Sequence, residues 1–157
     1  MKFRRIFLAL MCLSICGIAG AAPLQWYNPE DWGALRSAHA ASPWIVHLWG
    51  MSCDPCLQEL PAWGRFLRDH PQAHVTFIEV EKADRSDVQS MLGRAGLADS
   101  DQWQSANGFD AAQRYAISRR WRGEIPMTLL ISPDGKEQTI MGTMDFHRLA
   151  AWVGEKK

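Results

Sequence analysis

The sequence has no surplus of either charge. Its 157 residues hold 17 Lys+Arg against 17 Asp+Glu. A chain without a basic excess has little with which to neutralise a run of phosphates, which excludes a general nucleic-acid binder. Cysteine is scarce: four in all, too few for a disulfide-dense mini-protein. No uncharged apolar run reaches the roughly 20 residues needed to span a bilayer. No unit of roughly 20–50 residues repeats, which removes solenoids and propellers. What is present is 47% hydrophobic and 22% charged residues, enough apolar material for a packed core. The length fits one domain, or one domain and a targeting segment.

The first residues read as an address. Lys2, Arg4 and Arg5 give a positive start, an uncharged apolar run follows over 6–18, and Ala19, Gly20 and Ala21 supply small residues. That is the three-part pattern of a secretory signal. Cleavage is expected after Ala21, giving a signal over 1–21 and one domain over 22–157. Two other outcomes stay open: retention as a short membrane anchor, and lipid attachment at Cys16, against which the bulky Ile15 counts. Taking those three cations from the 17 leaves 14 against 17 acids, a formal net of −3. Cys12 and Cys16 leave with them. Cys53 and Cys56 then remain, in a chain sent to an oxidising compartment, the periplasm.

Residues 43–49 form an apolar run of strand length, suited to a strand buried on both faces. A helix is expected over 53–69, its stripe drawn by Leu57, Leu60, Trp63, Phe66 and Leu67, with Pro61 as a kink. Before them, 29–41 reads as a short helix. Residues 74–81 read as a second strand, and 84–97 as a helix that Gly96 stops. Residues 98–108 read as a polar loop and 109–121 as a helix with a basic end. Two strands over 127–132 and 136–141 are joined by the turn signal Pro133-Asp134-Gly135. Asp145 caps a last helix, with Phe146, Leu149, Trp152 and Val153 on one face. The alternation predicts an α/β fold, a mixed central sheet flanked by helices, with a helical insertion between the second strand and the hairpin.

The chemistry centres on Cys53-Asp54-Pro55-Cys56. A Cys-x-x-Cys pair that follows a buried strand and opens a helix is a specific arrangement. Unpaired N–H groups and the dipole at a helix start favour an anion, which lowers the Cys53 thiol pKa and makes it a nucleophile. Cys56, one turn in, is placed to attack a mixed disulfide at Cys53. Pro55 is tolerated where no N–H donor is needed. A structural staple is the rival reading, but so short a loop gains little from closure. Glu59 shares a helix face with Cys56 and either takes its proton or is a solvated helix residue. Asp54 opposes the thiolate and favours a reducing couple. His47, six residues before Cys53, either modulates the thiols or is a hydrogen-bonded core histidine. Ile125-Pro126 opens a strand as a cis feature or as an ordinary trans proline. Trp103 and Trp121 form either a docking patch or core.

The runs His-Leu-Trp-Gly-Met-Ser-Cys-Asp-Pro-Cys-Leu-Gln-Glu-Leu-Pro (47–61) and Glu-Ile-Pro-Met-Thr-Leu-Leu-Ile-Ser-Pro-Asp-Gly-Lys (124–136) resemble the thioredoxin superfamily. More narrowly, they resemble the TlpA/ResA-like exported thiol-disulfide oxidoreductases, over about residues 40–153. Trp49, Pro61, Pro126, Gly142 and Glu59 carry the likeness. The resemblance implies a thioredoxin fold, a Cys53-Cys56 disulfide, Cys53 attacking, Cys56 resolving, Glu59 in the active site, and a cis Pro126 with Ile125 shaping a client groove. It implies exported client proteins with disulfides and a membrane thiol-transfer reductant as partners, a monomer, and no cofactor or metal. Two departures stand out. Ser52 replaces the usual aromatic residue before the first Cys, and His47 occupies the place of thioredoxin's buried acid. The alternative reading is Cu(I) binding in the Met51-x-Cys53-x-x-Cys56 loop, with His47 or Met51 assisting the two cysteines, since soft thiolates suit that ion.

Overall fold

The computed structural model describes residues 23–155. The expected signal segment, with Cys12 and Cys16, lies outside them. The chain runs β1 (Gln25–Tyr27), α1 (Asp31–Ala38), β2 (Trp44–Trp49), α2 (Asp54–Asp69), β3 (Val75–Glu79), α3 (Arg85–Arg94), β4 (Asp101–Ser105), α4 (Ala111–Ile117), β5 (Met127–Ile131), β6 (Glu137–Met141) and α5 (Phe146–Glu155). The six strands form one sheet in the order β1-β4-β3-β2-β5-β6. β1, β4, β3 and β2 run parallel, while β5 is antiparallel to β2 and to β6.

The two central strands are buried end to end, with His47, Thr76 and Glu79 set among their apolar residues. One face of the sheet packs Ile45, Trp49, Val75 and Phe77 against Leu60 and Trp63 of α2, Val88 and Leu92 of α3, and Leu149 and Val153 of α5. The other packs Trp44, Val46, Leu48, Ile78 and Leu129 against Trp32 and Leu35 of α1 and Ile117 of α4. Helices thus cover both faces. Asp84 caps α3 by accepting from Ser86 N and Asp87 N, and Asp110 closes a capping box with Gln113. Asp145 accepts from His147 N and Arg148 N at the start of α5. Gly96 holds φ +75° just past α3, where a side chain would be strained.

The stretch between β3 and β5 carries the expected helices, α3 and α4, and a strand besides. Residues 98–108 are not simply a loop, because β4 lies among them and enters the sheet between β1 and β3. Its inward residues are Gln102 and Gln104, both buried. Each side-chain amide has a backbone partner: Gln102 donates to the Leu97 carbonyl, and Gln104 donates to the Ala83 carbonyl at 2.9 Å. Amides whose N–H groups are engaged in this way can fill core positions, so a pattern of apolar residues does not mark the strand. β1, which precedes the first helix, has no counterpart among the expected strands and is only three residues long. The helices expected over 29–41 and 109–121 are shorter than their patterns suggested.

Candidate active site

β2 ends at Trp49, a turn over residues 50–52 follows, and α2 begins. Cys53 is the N-cap of α2 in extended conformation, and its sulfur accepts from Cys56 N at 3.2 Å. The helix therefore points an unpaired N–H at the position where a Cys53 thiolate would carry its charge. Cys53 and Cys56 are joined in a disulfide with Cα atoms 5.2 Å apart. Cys53 is partly exposed, and Cys56 is fully buried. Pro55 sits in the first turn, and α2 continues through Pro61. Asp54 faces solvent between the two cysteines.

Glu59 is not a solvated helix residue. It is 6% exposed and lies on the inward face of α2 with Cys56. One oxygen accepts from Met144 N at 2.8 Å, and the other from Trp63 Nε1 at 3.2 Å. Burial pushes the carboxyl above the usual Glu range, and those two hydrogen bonds partly offset it. His47, fully buried on β2, brings Nε2 to 3.1 Å from Glu59 Oε1, close but not aligned as a hydrogen bond. Its Nδ1 lies 3.0 Å from the hydroxyl of Thr128, its cross-strand partner on β5. Burial depresses the imidazole to about 3. At neutral pH the ring is therefore uncharged, and the contact with Glu59 is not an ion pair.

The Ile125-Pro126 peptide is cis. Leu48 pairs with Met127, so Pro126 stands at the same end of the sheet as the turn into Cys53. Beside it an open groove of ≈ 600 Å³ is lined by Trp121, Ile125, Pro126, Thr139 and Met141, with Arg120 and Glu124 at its edge. The backbone N–H and C=O of Ile125 have no hydrogen-bond partner among the described residues. Trp49 is fully buried. Trp121 is core, stacked edge-on to Phe109, and Trp103 packs edge-on to Tyr27, so these two indoles make no shared docking patch.

Sequence reading missed three polar residues near this end of the molecule. Thr128 is buried opposite His47, hidden in an apolar run. Glu79 is fully buried on β3, and Glu81 accepts from both the backbone N–H and the hydroxyl of Ser52. Glu79 did carry a signal. It stands two residues after Phe77, so strand alternation turns a carboxyl to the core face. Among the described residues no three His, Cys, Asp or Glu side chains are grouped to hold a metal ion. His47, a candidate third copper ligand, is turned inward onto Glu59 and Thr128.

Fold and site together define a thioredoxin-like α/β protein: a Cys-x-x-Cys disulfide at a helix start, with a cis-proline strand at the same end of the sheet. No protein-family model and no curated protein sequence matches the chain. Solved structures do. One is a secreted disulfide oxidoreductase of Mycobacterium tuberculosis homologous to E. coli DsbE. It aligns with TM-score 0.57 and 19% identity over 76% of this chain and 85% of that one. A thiol:disulfide interchange protein of the thioredoxin family from Chlorobium tepidum aligns with TM-score 0.61 and 15% identity, over 77% and 83% of the two chains. StoA from Bacillus subtilis aligns with TM-score 0.55 and 20% identity, over 73% and 84%. The chain shares the thioredoxin fold with these thiol-disulfide proteins.

Proposed function

We propose that the protein is an exported thiol-disulfide oxidoreductase that reduces disulfides of client proteins through its Cys53/Cys56 dithiol. One observation carries this reading: the two cysteines form a disulfide at the start of α2, the first partly exposed and the second buried on the Glu59 face. In the reduced protein the Cys53 thiolate attacks a client disulfide, forms a mixed disulfide and expels one client thiolate, which takes up a proton. Cys56 then gives its proton to Glu59 and attacks the Cys53 sulfur. The Cys53-Cys56 disulfide forms, and the second client thiolate leaves. The client gains two electrons and the protein loses them, and a membrane dithiol reductant returns the pair. Pro126 and the unpartnered backbone of Ile125 support pairing with an extended client segment.

Export rests on the signal pattern over 1–21, which places the mature protein in the periplasm. No helix among the described residues is long and apolar enough to cross a membrane. The test is insulin reduction by the purified mature protein with a reductant present. Cys53→Ser should abolish it, and Cys56→Ser should trap clients as mixed disulfides. A measured potential well below about −200 mV fits the reducing direction, whereas one near about −120 mV would reverse it. Tight stoichiometric Cu(I) binding without disulfide exchange would overturn the reading in favour of the thiolate-metal alternative.

A further inference from the structure

The end of β3 reaches under the active-site turn with two carboxyl groups that the exchange reaction does not use. Glu81 lies across residues 50–52. One oxygen accepts from Ser52 N at 2.8 Å and the other from Ser52 Oγ at 2.6 Å. It fits there because residue 50 is glycine: a Cβ on Gly50 would stand 2.4 Å from the Glu81 carboxyl carbon. Glu79 occupies the layer beneath. Its carboxyl accepts from Glu81 N at 2.9 Å. Ser52 is thus tied to Glu81, and the Glu81 backbone is tied in turn to Glu79.

We propose that Glu79 and Glu81 are positioning residues, a two-carboxyl clamp on residues 50–52 that fixes where Cys53 stands, with Glu79 working as a neutral acid. The consequence for catalysis rests on the exchange reaction proposed above, whereas the clamp itself rests on geometry. Glu79 sits in register between Trp49 on β2 and Gln104 on β4. Glu79 Oε2 and Gln104 Oε1 are both buried without a hydrogen-bond partner, and both are acceptors. Trp49 Nε1, on the other neighbour, is a buried donor also without a partner, so the layer holds two free acceptors and one free donor, and a hydrogen on the Glu79 carboxyl supplies the second donor.

The charged surroundings agree. Burial pushes the Glu79 carboxyl up to about 8, and the like charge of Glu81 acts in the same direction. α2 brings Cys56 and Glu59 to this face of the sheet and no cation among its buried residues. Arg85 of α3 is engaged by the Leu24 carbonyl and the Trp26 ring. Once ionised, Glu79 would hold a buried oxygen without a donor beside the Glu81 charge. Moving toward water relieves both and pulls the carboxyl away from Glu81 N.

The experiment follows amide exchange at Glu81 and Ser52, the carboxyl carbon shift of Glu79 and the alkylation rate of Cys53. All are read on the full-length reduced protein while pH rises through about 8. In the wild type, Glu81 protection should fall about tenfold beyond the intrinsic base-catalysed change, with a matching break in the Cys53 rate. Glu79→Gln supplies both an acceptor and a donor, so it should keep its protection and lose the break. Gly50→Ala should displace Glu81 and speed Ser52 exchange by about tenfold. A Glu79 carboxyl that titrates in the ordinary Glu range overturns the clamp. So does a Glu79→Gln profile that keeps the break, or a Gly50→Ala variant with Ser52 still protected. These readouts need no turnover. A wild type that shows them but exchanges no disulfide refutes the oxidoreductase reading and leaves the clamp standing.

Discussion

His47 Nε2 stands 3.1 Å from Glu59 Oε1 in the fully buried layer between β2 and α2, while the far nitrogen of the same ring meets the Thr128 hydroxyl at 3.0 Å. A neutral imidazole suits both neighbours. With its hydrogen on Nε2 it turns a donor toward Glu59, and Nδ1 accepts from Thr128. The ring also packs against Trp63 and Phe77. His47→Leu keeps much of that packing and deletes both polar contacts. It should lower the unfolding free energy of the oxidised protein by about 1–3 kcal/mol, the cost of stranding buried polar groups. Urea denaturation measures this, and a loss under about 0.5 kcal/mol would show that the polar contacts contribute little.

Glu59→Gln tests the proton acceptor. The amide still accepts from Met144 N and sits where the carboxyl sat, but it takes up no proton. Resolution of a preformed Cys53 mixed disulfide should slow about a hundredfold at neutral pH, at the low end for loss of a general base. The sign with pH is fixed by the upward displacement of the Glu59 carboxyl. As pH falls through that raised value the base becomes protonated and wild-type resolution slows, whereas the variant lacks this acid limb. Stopped-flow release of the client thiol reads both. Equal rates in the two proteins would remove Glu59 from the reaction.

β4 gives a prediction free of the redox chemistry. Gln102 is buried and donates to the Leu97 carbonyl at the turn beyond α3. Gln102→Leu fills similar space with no donor, while the Leu97 carbonyl keeps the Ser100 N–H and hydroxyl as partners. About 0.5–1.5 kcal/mol of stability should go, the net worth of one hydrogen bond. Hydrogen exchange should show β4 and β1 opening before β2 and β3, since β1 pairs with β4 alone. Uniform exchange across all six strands would contradict this.

That strand marks where the sequence stopped being legible. β2, β3, β5 and α2 were readable because burial is written into them as apolar runs or stripes. β4 spells Asp-Gln-Trp-Gln-Ser, and its fitness for the core lies in hydrogen bonds to Leu97 and Ala83, which no hydropathy pattern holds. The same divide runs through the site. Cys53 and Cys56 were found from spacing, since two thiols three residues apart at a helix start are a local feature. The surroundings of Glu59 were not, because His47, Trp63 and Met144 converge on it from β2, α2 and the residues before α5. The link from Glu81 to Ser52 spans 29 positions in sequence and exists only after β3 has paired with β2.

Stability against pH follows from groups whose displacements run in opposite directions. His47 is depressed to about 3 from its ordinary 6.5, and Glu79 is raised to about 8 from 4.5. Below 6.5 the unfolded chain binds a proton at His47 that the folded chain refuses, so stability falls with acid until about 3. Above 4.5 the folded chain keeps a proton on Glu79 that the unfolded chain has released, so stability falls with base until about 8. Between 4.5 and 6.5 the two slopes oppose each other, and Glu59, also raised, tilts that stretch toward the acid side. From 6.5 to 8 Glu79 acts without that opposition, and the oxidised protein should lose about 1.4 kcal/mol per pH unit. Glu79→Gln should flatten this limb and leave the acid limb intact, whereas His47→Leu should flatten the acid limb alone. Thermal or urea unfolding from about pH 3 to 9 reads all three curves. A wild type whose stability rises between pH 6.5 and 8 would show that the Glu79 carboxyl is ionised throughout.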